Sequence, residues 1–375
     1  MSSVIRICHV VGDLRIGGAE RMLAKLLALD SAGHTVVALG GTGPMEQAIS
    51  NLNVPVHVLG LSSSLVQPLR EMRVLRLVHQ LRPDLVVGWM YHGNLAALVV
   101  SWRCRARLVW NIRHSLHDPS LEKPMLRALI RAGAVMSGFP ECTIYNSRLA
   151  AQQHEAIGYG KARRAVLPNG FDTTRFRPDP NARPAVRAEL GLRETAFLVG
   201  QVARLHPMKN HMGLLEAAAR VPSLHLMLVG RGVDVSEALA RRASAPALAG
   251  RVHRLGERND VARLLAACDW VVSPSAWGEG FPNAIGEAMA CGVPVIATDV
   301  GDSAKVVADT GLVVPPSDQG QLTAALRRAY FMPPARRRQL GICARARVEH
   351  NYSLPMVAAR YQKIFRASAT QGGSA

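Results

Sequence analysis

The 375 residues are more than one compact core usually holds and are comfortable for two. Nearly half of them (49%) are apolar and 19% are charged, which excludes a disordered chain, and the apolar run over residues 95–102 is far shorter than the ~20 residues that cross a bilayer. The formal charge of +18 calls for an anionic partner, yet no tail concentrates it, and with aromatics at 5% and no RNA-binding motif, nucleic acid is not the expected one.

In chain order, short apolar runs alternate with longer amphipathic ones. Residues 5–11, 35–39, 56–59, 85–89, 107–112 and 143–145 read as buried strands, and 19–29, 45–51, 68–81 and 121–135 carry helical spacing. Strand then helix, repeated, predicts a parallel sheet with helices on both faces. The rhythm restarts after Leu167-Pro168-Asn169-Gly170, a turn signal that reads as a linker. Beyond it, strands are predicted at 197–202, 224–229, 252–255, 270–272, 293–298 and 312–314. Helices are predicted at 209–220, 260–268, 284–290, 322–331 and 355–365. The expected organisation is two α/β domains of the doubly wound, Rossmann-like kind, 1–168 and 169–350, with a final helix over 351–369 expected to pack back on the first domain and a Gly/Ser-rich tail over 370–375. The first residues read as a strand without a signal-peptide cleavage pattern, so a cytoplasmic location is expected. The six cysteines are scattered with no C-x-x-C pair, which fits reduced core thiols better than a disulfide frame or a zinc site.

Three loops can carry chemistry. The first, Gly12 to Arg21, places the pair Gly17-Gly18 between a strand and a helix. Backbone N–H groups there approach an anion without a Cβ in the way, although a plain tight turn accounts for the pair equally well. It is not G-x-G-x-x-G, so a nicotinamide dinucleotide fingerprint is absent. The second, Ala203 to Asn210, sets Arg204 and Lys209 about a strand end and a helix start, where two cations suit a diphosphate or are simply solvated. The third and most informative stretch runs from Ser273 to Asp299. A strand ends, a glycine-rich turn carries Glu279, and a helix starts near Asn283 with Glu287 in an early turn. Carboxylates at a strand's carboxyl end accept hydrogen bonds from vicinal hydroxyls, and the amides of Gly280 to Asn283 add anion-binding donors.

In this order and spacing, Gly17-Gly18-Ala19-Glu20-Arg21, Trp89-Met90-Tyr91-His92-Gly93-Asn94, Arg113-His114-Ser115, Pro168-Asn169-Gly170, Arg204 with Lys209, and the Glu279–Asp299 block resemble glycosyltransferase family 4 over essentially the whole chain. The resemblance implies the GT-B fold, two Rossmann-like domains facing an interdomain cleft, and retaining transfer of a sugar from a nucleotide-sugar donor, UDP-linked before GDP-linked. The acceptor implied is a glycan or a lipid-linked glycan of the kind bacteria build into surface polysaccharide. By the same resemblance, Arg204 and Lys209 neutralise the departing diphosphate, Glu279 contacts hydroxyls of the transferred sugar, and Glu287 holds the ribose. Gly280, Phe281 and Asn283 lie along sugar and phosphate, and Gly17 and Gly18 meet the donor phosphate or the acceptor. His114 lines the reacting centre as a positioning residue more than a base, with His92 as the competing histidine. No metal and no cofactor are expected, since there is no Asp-x-Asp motif and the cations are already present. Lys305 departs from the pattern, standing where many relatives carry an acidic residue.

Two rivals stand beside this reading: a nucleotide-sugar epimerase on the same fold, and an inactive relative that binds a polyanion or a membrane. Independently, residues 121–134 present Lys123, Arg127 and Arg131 beside Met125, Leu126, Leu129 and Ile130. Such a basic amphipathic helix suits an anionic membrane surface on the cytoplasmic side, and a core-packed helix with a solvated edge is the alternative.

Overall fold

The computed structural model of the chain describes residues 4–61, 77, 80–117, 120 and 122–370. The helix predicted over 68–81 lies largely outside them. The described residues form two compact units, one from Met1–Gly170 together with Leu354–Ala375 and one from Phe171–Ser353.

The first unit is built on strands β1 (Ile7–Val11), β2 (His34–Ala38), β3 (Val56–Val58), β4 (Leu85–Trp89), β5 (Arg107–Ile112), β6 (Cys142–Tyr145) and β7 (Arg164–Val166). They are all parallel, in the order β3-β2-β1-β4-β5-β6-β7. Alternation along β1 shows why the strand is apolar at every position but His9. Ile7 and Val11 enter one core with the helices Gly18–Leu29 and Leu354–Thr370, while Cys8 and Val10 enter the other with the helix Met90–Cys104. That last helix sits close on the sheet because Gly93 has no side chain; a Cβ there would stand 2.5 Å from the Val10 carbonyl oxygen.

The second unit repeats the plan with β8 (Phe197–Val202), β9 (Leu224–Val229), β10 (Val252–Arg254), β11 (Trp270–Ser273), β12 (Val295–Thr298) and β13 (Leu312–Val314), parallel in the order β10-β9-β8-β11-β12-β13. In each sheet the winding reverses beside the first strand, between β1 and β4 and between β8 and β11. Loops leaving the carboxyl ends of such a strand pair diverge and leave space for a ligand.

The chain changes unit at Gly170–Phe171 and at Ser353–Leu354, a few residues past the expected boundaries, because of where two residues pack. Gly170 lies against Leu354 and Val357, whereas the Phe171 ring is buried in the second core and its N–H donates to the Tyr352 carbonyl at 2.8 Å. The helix Met90–Cys104 escaped the periodicity reading because its apolar residues are spread around its girth, with Val99 and Trp102 exposed while Tyr91, Ala97 and Val100 are buried. The helix Pro334–Tyr352 escaped it as well, since arginines interrupt its apolar residues and no single apolar stripe emerges.

Candidate functional site

In the second unit the loop after β8 runs through Arg204 to a single 3₁₀ turn, Pro207–Lys209, and then to Asn210, whose left-handed backbone (φ 51°) opens the helix His211–Ala219. The Asn210 side chain caps that helix by accepting from the Gly213 N–H at 3.2 Å. Gln201, at the end of β8, donates to the Lys209 carbonyl at 2.8 Å and holds the turn. The loop after β11 is joined to it, the Ala276 N–H donating to the Met208 carbonyl at 2.8 Å.

This junction brings Lys209 and Glu279 together as an ion pair on Oε1 of the carboxylate. The Ser275 hydroxyl donates to the same oxygen at 2.6 Å, and Ser275 is itself held through its carbonyl, which accepts from the Thr298 hydroxyl at 2.6 Å. Glu279 is 8% exposed, so its carboxylate is a rigid acceptor. Among the described residues both side-chain donors reach Oε1 and none reaches Oε2. The backbone beyond it is tied down by Asp302, whose N–H donates to the Gly280 carbonyl at 3.1 Å. Gly301, at φ 66°, comes so close to the Glu279 carbonyl oxygen that any side chain there would collide with it. Arg204 is exposed at the edge of the same loop, and His206 is held below the ordinary histidine range by partial burial and by the charges of Arg204 and Lys209. Asn283, exposed, begins the helix Asn283–Ala290, and Glu287 stands half-buried one turn on. The Phe281 ring does not face this space. It packs with Phe171 and Tyr352 in the core, so only its backbone is left for a ligand.

In the first unit, Gly17 and Gly18 close the loop after β1. A side chain at Gly18 would meet no protein atom within 4 Å, whereas one at Gly17 would collide with the carboxylate of Glu20. Burial raises the Glu20 carboxyl above the usual carboxylate range. The helix N-terminus read as an anion site is therefore already faced by the chain's own carboxylate at Gly17, and open space remains at Gly18. After β4, Met90 adopts a left-handed conformation (φ 61°), and its sulfur accepts from the Arg113 N–H at 3.3 Å. His114 follows β5 with Nδ1 3.2 Å from the Tyr91 hydroxyl and Nε2 3.3 Å from Glu122 Oε1. His92 is exposed. Arg113, the neighbour of His114 in the motif, is structural: its guanidinium donates to the Tyr361 hydroxyl at 2.7 Å and to Asn169. Gln153 anchors the same loop by accepting from Ser115 and from the Leu116 N–H, both at 2.8 Å. Sequence reasoning missed Ser275, Thr298, Glu122 and His154. None stands at a telling interval from its partner, and only folding brings them together.

The basic helix spans Pro124–Met136, and its faces are not as expected. Ile130 is buried and Leu126 and Leu129 pack against the core, so these are not the surface residues. The exposed face carries Met125 (71% exposed), Val135 (77%), Lys123 and Arg131, with Phe139 just beyond. Leu121 lies outside the described residues. Among the described residues no group of three or more His, Cys, Asp or Glu is placed to hold a metal ion, and no helix is long and apolar enough to cross a membrane.

Two parallel Rossmann-like units with these residues at their switch points define a class. Residues 16–175 match the family model Glycosyltransferase Family 4 and residues 196–330 match Glycosyl transferases group 1. The chain belongs to this glycosyltransferase family and has its GT-B fold. Among its relatives, it is 34% identical over 215 residues to the GDP-mannose-dependent monoacylated alpha-(1-6)-phosphatidylinositol monomannoside mannosyltransferase of Corynebacterium glutamicum, covering 54% of this chain and 55% of the relative. It is 31% identical over 273 residues to a D-inositol 3-phosphate glycosyltransferase of a Mycobacterium species, covering 70% of this chain and 59% of the relative. The matches thus span just over half the length of these curated relatives. In fold it is similar to Anabaena HepE crystallised in complex with UDP, with a TM-score of 0.86 at 23% identity, covering 97% of this chain and all of that one.

Proposed function

We propose that the protein is a metal-independent, retaining glycosyltransferase that moves a sugar from a nucleotide-sugar to a glycan or lipid-linked acceptor in cell-surface polysaccharide synthesis. The observation that carries this reading is the convergence of Lys209 and Ser275 on one oxygen of Glu279 at the β8/β11 switch point. Glu279 Oε2 accepts a hydroxyl of the transferred sugar, and Lys209 and Arg204 take the growing negative charge of the leaving diphosphate. The amides of Gly280, Phe281 and Asn283 line the sugar and phosphate, Glu287 binds the ribose, and the Gly17-Gly18 backbone and His114 approach the donor or the acceptor hydroxyl. A UDP-sugar is the favoured donor, and the UDP-bound fold neighbour supports it; the GDP-mannose-dependent relative makes a GDP-sugar the second candidate.

The experiment is nucleotide release from UDP- and GDP-sugars with lipid-linked glycan fragments as acceptors, in the presence of EDTA, with the product anomer read by NMR. Acceptor-dependent release with retained configuration is expected. Glu279→Ala and Arg204→Ala should each lower kcat on the order of 10²- to 10³-fold. Unchanged rates in both variants would overturn the site, and epimerisation of the sugar without acceptor would overturn the transferase.

Attachment to the cytoplasmic face of the membrane belongs to the same proposal. Met125, Val135 and Phe139 stand exposed beside Lys123 and Arg131, and the helix Met90–Cys104, packed on Pro124–Met136, adds exposed Trp102 (76%), Arg103 and Arg105. Exposed apolar side chains on two packed helices that also expose cations suit an anionic lipid surface that also carries a lipid-linked acceptor.

A further inference from the structure

Beneath His114 runs a chain of hydrogen bonds whose protons can be assigned one by one. His154 is buried on the helix Arg148–Ala156, and its Nδ1 lies 2.7 Å from the Ala150 carbonyl. A carbonyl only accepts, so His154 carries its proton on Nδ1. Its Nε2 lies 2.8 Å from the Tyr91 hydroxyl. Burial pushes His154 down to about 4, so near neutral pH Nε2 is bare and Tyr91 donates to it. The phenol has one proton and it is now placed. Toward His114, 3.2 Å away, the Tyr91 oxygen can only accept, and His114 Nδ1 must donate. Every proton of the chain is then fixed except at one atom, His114 Nε2, which faces Glu122 Oε1 at 3.3 Å.

We propose that Tyr91 and His154 are positioning residues that hold His114 in its Nδ1–H tautomer, so that His114 Nε2 and Glu122 form a one-proton site that binds a sugar or acceptor hydroxyl. Two states follow. With the proton present, Nε2–H donates to the Glu122 carboxylate. When the proton leaves to solvent, bare Nε2 accepts from the ligand hydroxyl, and Glu122, a second acceptor beside it, is turned toward the same ligand. Burial lowers His114 and the Glu122 charge opposes it, so the bare state prevails near neutral pH. The groups facing the pair are Tyr91 from the helix Met90–Cys104 and His154 from Arg148–Ala156, with Tyr145 and Tyr159 packed on His154. The hydroxyl ligand rests on the transferase reading; the tautomer does not.

The test is long-range ¹H–¹⁵N spectroscopy of the full chain labelled at histidine, with the His114 signals assigned by their loss in His114→Asn. At pH 8 the Nδ1–H form is expected; the Nε2–H form, which free histidine prefers, would overturn the proposal in the unmodified protein. Tyr91→Phe should release the tautomer to Nε2–H and lower kcat/KM roughly tenfold. Glu122→Gln should shift the acidic limb of the kcat/KM profile to lower pH, because the charge that raises the His114 titration is gone. His154→Gln, whose side-chain oxygen can still accept from Tyr91, should keep the Nδ1–H form that His154→Leu loses. A tautomer and pH profile indifferent to Tyr91→Phe would overturn the relay. The Nδ1–H tautomer in a protein that turns over no nucleotide-sugar would support the relay and refute the transferase reading.

Discussion

At Glu279, the hydrogen bonds around one carboxylate decide how it can be used. Lys209 and Ser275 both bind Oε1, so one oxygen of the carboxylate is held by two charge-assisted or hydroxyl donors. A carboxylate at this position was legible from its place after a strand and before a helix; the serine that orients it was not, because no residue interval marks a hydroxyl for that task. The histidines show the opposite limit. His154 and His211 sit buried, each pushed down to about 4 from an ordinary value of 6.5. The unfolded chain therefore binds more protons than the folded one between about pH 6.5 and 4, and stability falls as pH falls through that window. Urea midpoints taken stepwise across it should decline, and the double variant His154→Gln/His211→Gln should flatten the dependence by up to two protons. A slope unchanged in that variant would show that other groups set the acid response.

Among the elements, strands in both units were legible because a parallel strand covered on both faces is a short unbroken apolar run. What ties elements together was not. Arg187, 1% exposed on the helix Ala182–Glu189, donates to Asp269 at 2.7 Å and to the carbonyls of Ala196 and Ala267 at 3.0 and 2.8 Å. Asp269 also accepts from the Leu198 N–H at 2.8 Å, and Arg183 and Arg337 approach its other oxygen. One carboxylate at the head of β11 thus holds β8 and two helices. Removing it leaves a buried guanidinium uncompensated, which costs about 3–5 kcal/mol. Asp269→Ala should lose that much in urea unfolding, while Asp260→Ala, in the more exposed network with Arg258 and Arg263, should lose at most about 1 kcal/mol. Equal losses would mean that burial does not set the difference.

At the scale of the molecule, the excess of +18 is divided almost equally between the parts before and after Gly170, so the surface that gathers cations with apolar side chains stands out by composition and not by charge alone. If Met125, Val135, Trp102 and Phe139 seat in lipid, flotation with anionic vesicles should depend on both kinds of residue. Reversing Lys123, Arg127 and Arg131 to Glu should weaken binding at low salt, and Trp102→Ala/Phe139→Ala should weaken it at high salt too, where screening removes the charge contribution. Binding equal to that of the unmodified protein in both variants would refute a membrane face. The last helix, Leu354–Thr370, belongs to the first unit although it follows the second in sequence, and Tyr361 and Phe365 complete that unit's core.

Strand rhythm, the restart near Gly170 and the loops carrying Arg204, Lys209, Glu279 and Glu287 are local patterns, and local patterns survive in a bare string of residues. The loops between Gly12 and Arg21 and between Ala203 and Asn210 were likewise visible as turns opening helices. Only the tertiary structure decided that Glu20 already faces Gly17, that Phe281 and Arg113 serve packing, that Leu126, Leu129 and Ile130 turn inward, and that Tyr91, His154 and Glu122 meet at His114. The reason is physical: a hydrogen bond or a buried face is specified by distances between residues tens of positions apart, and no period of 2 or 3.6 encodes those distances.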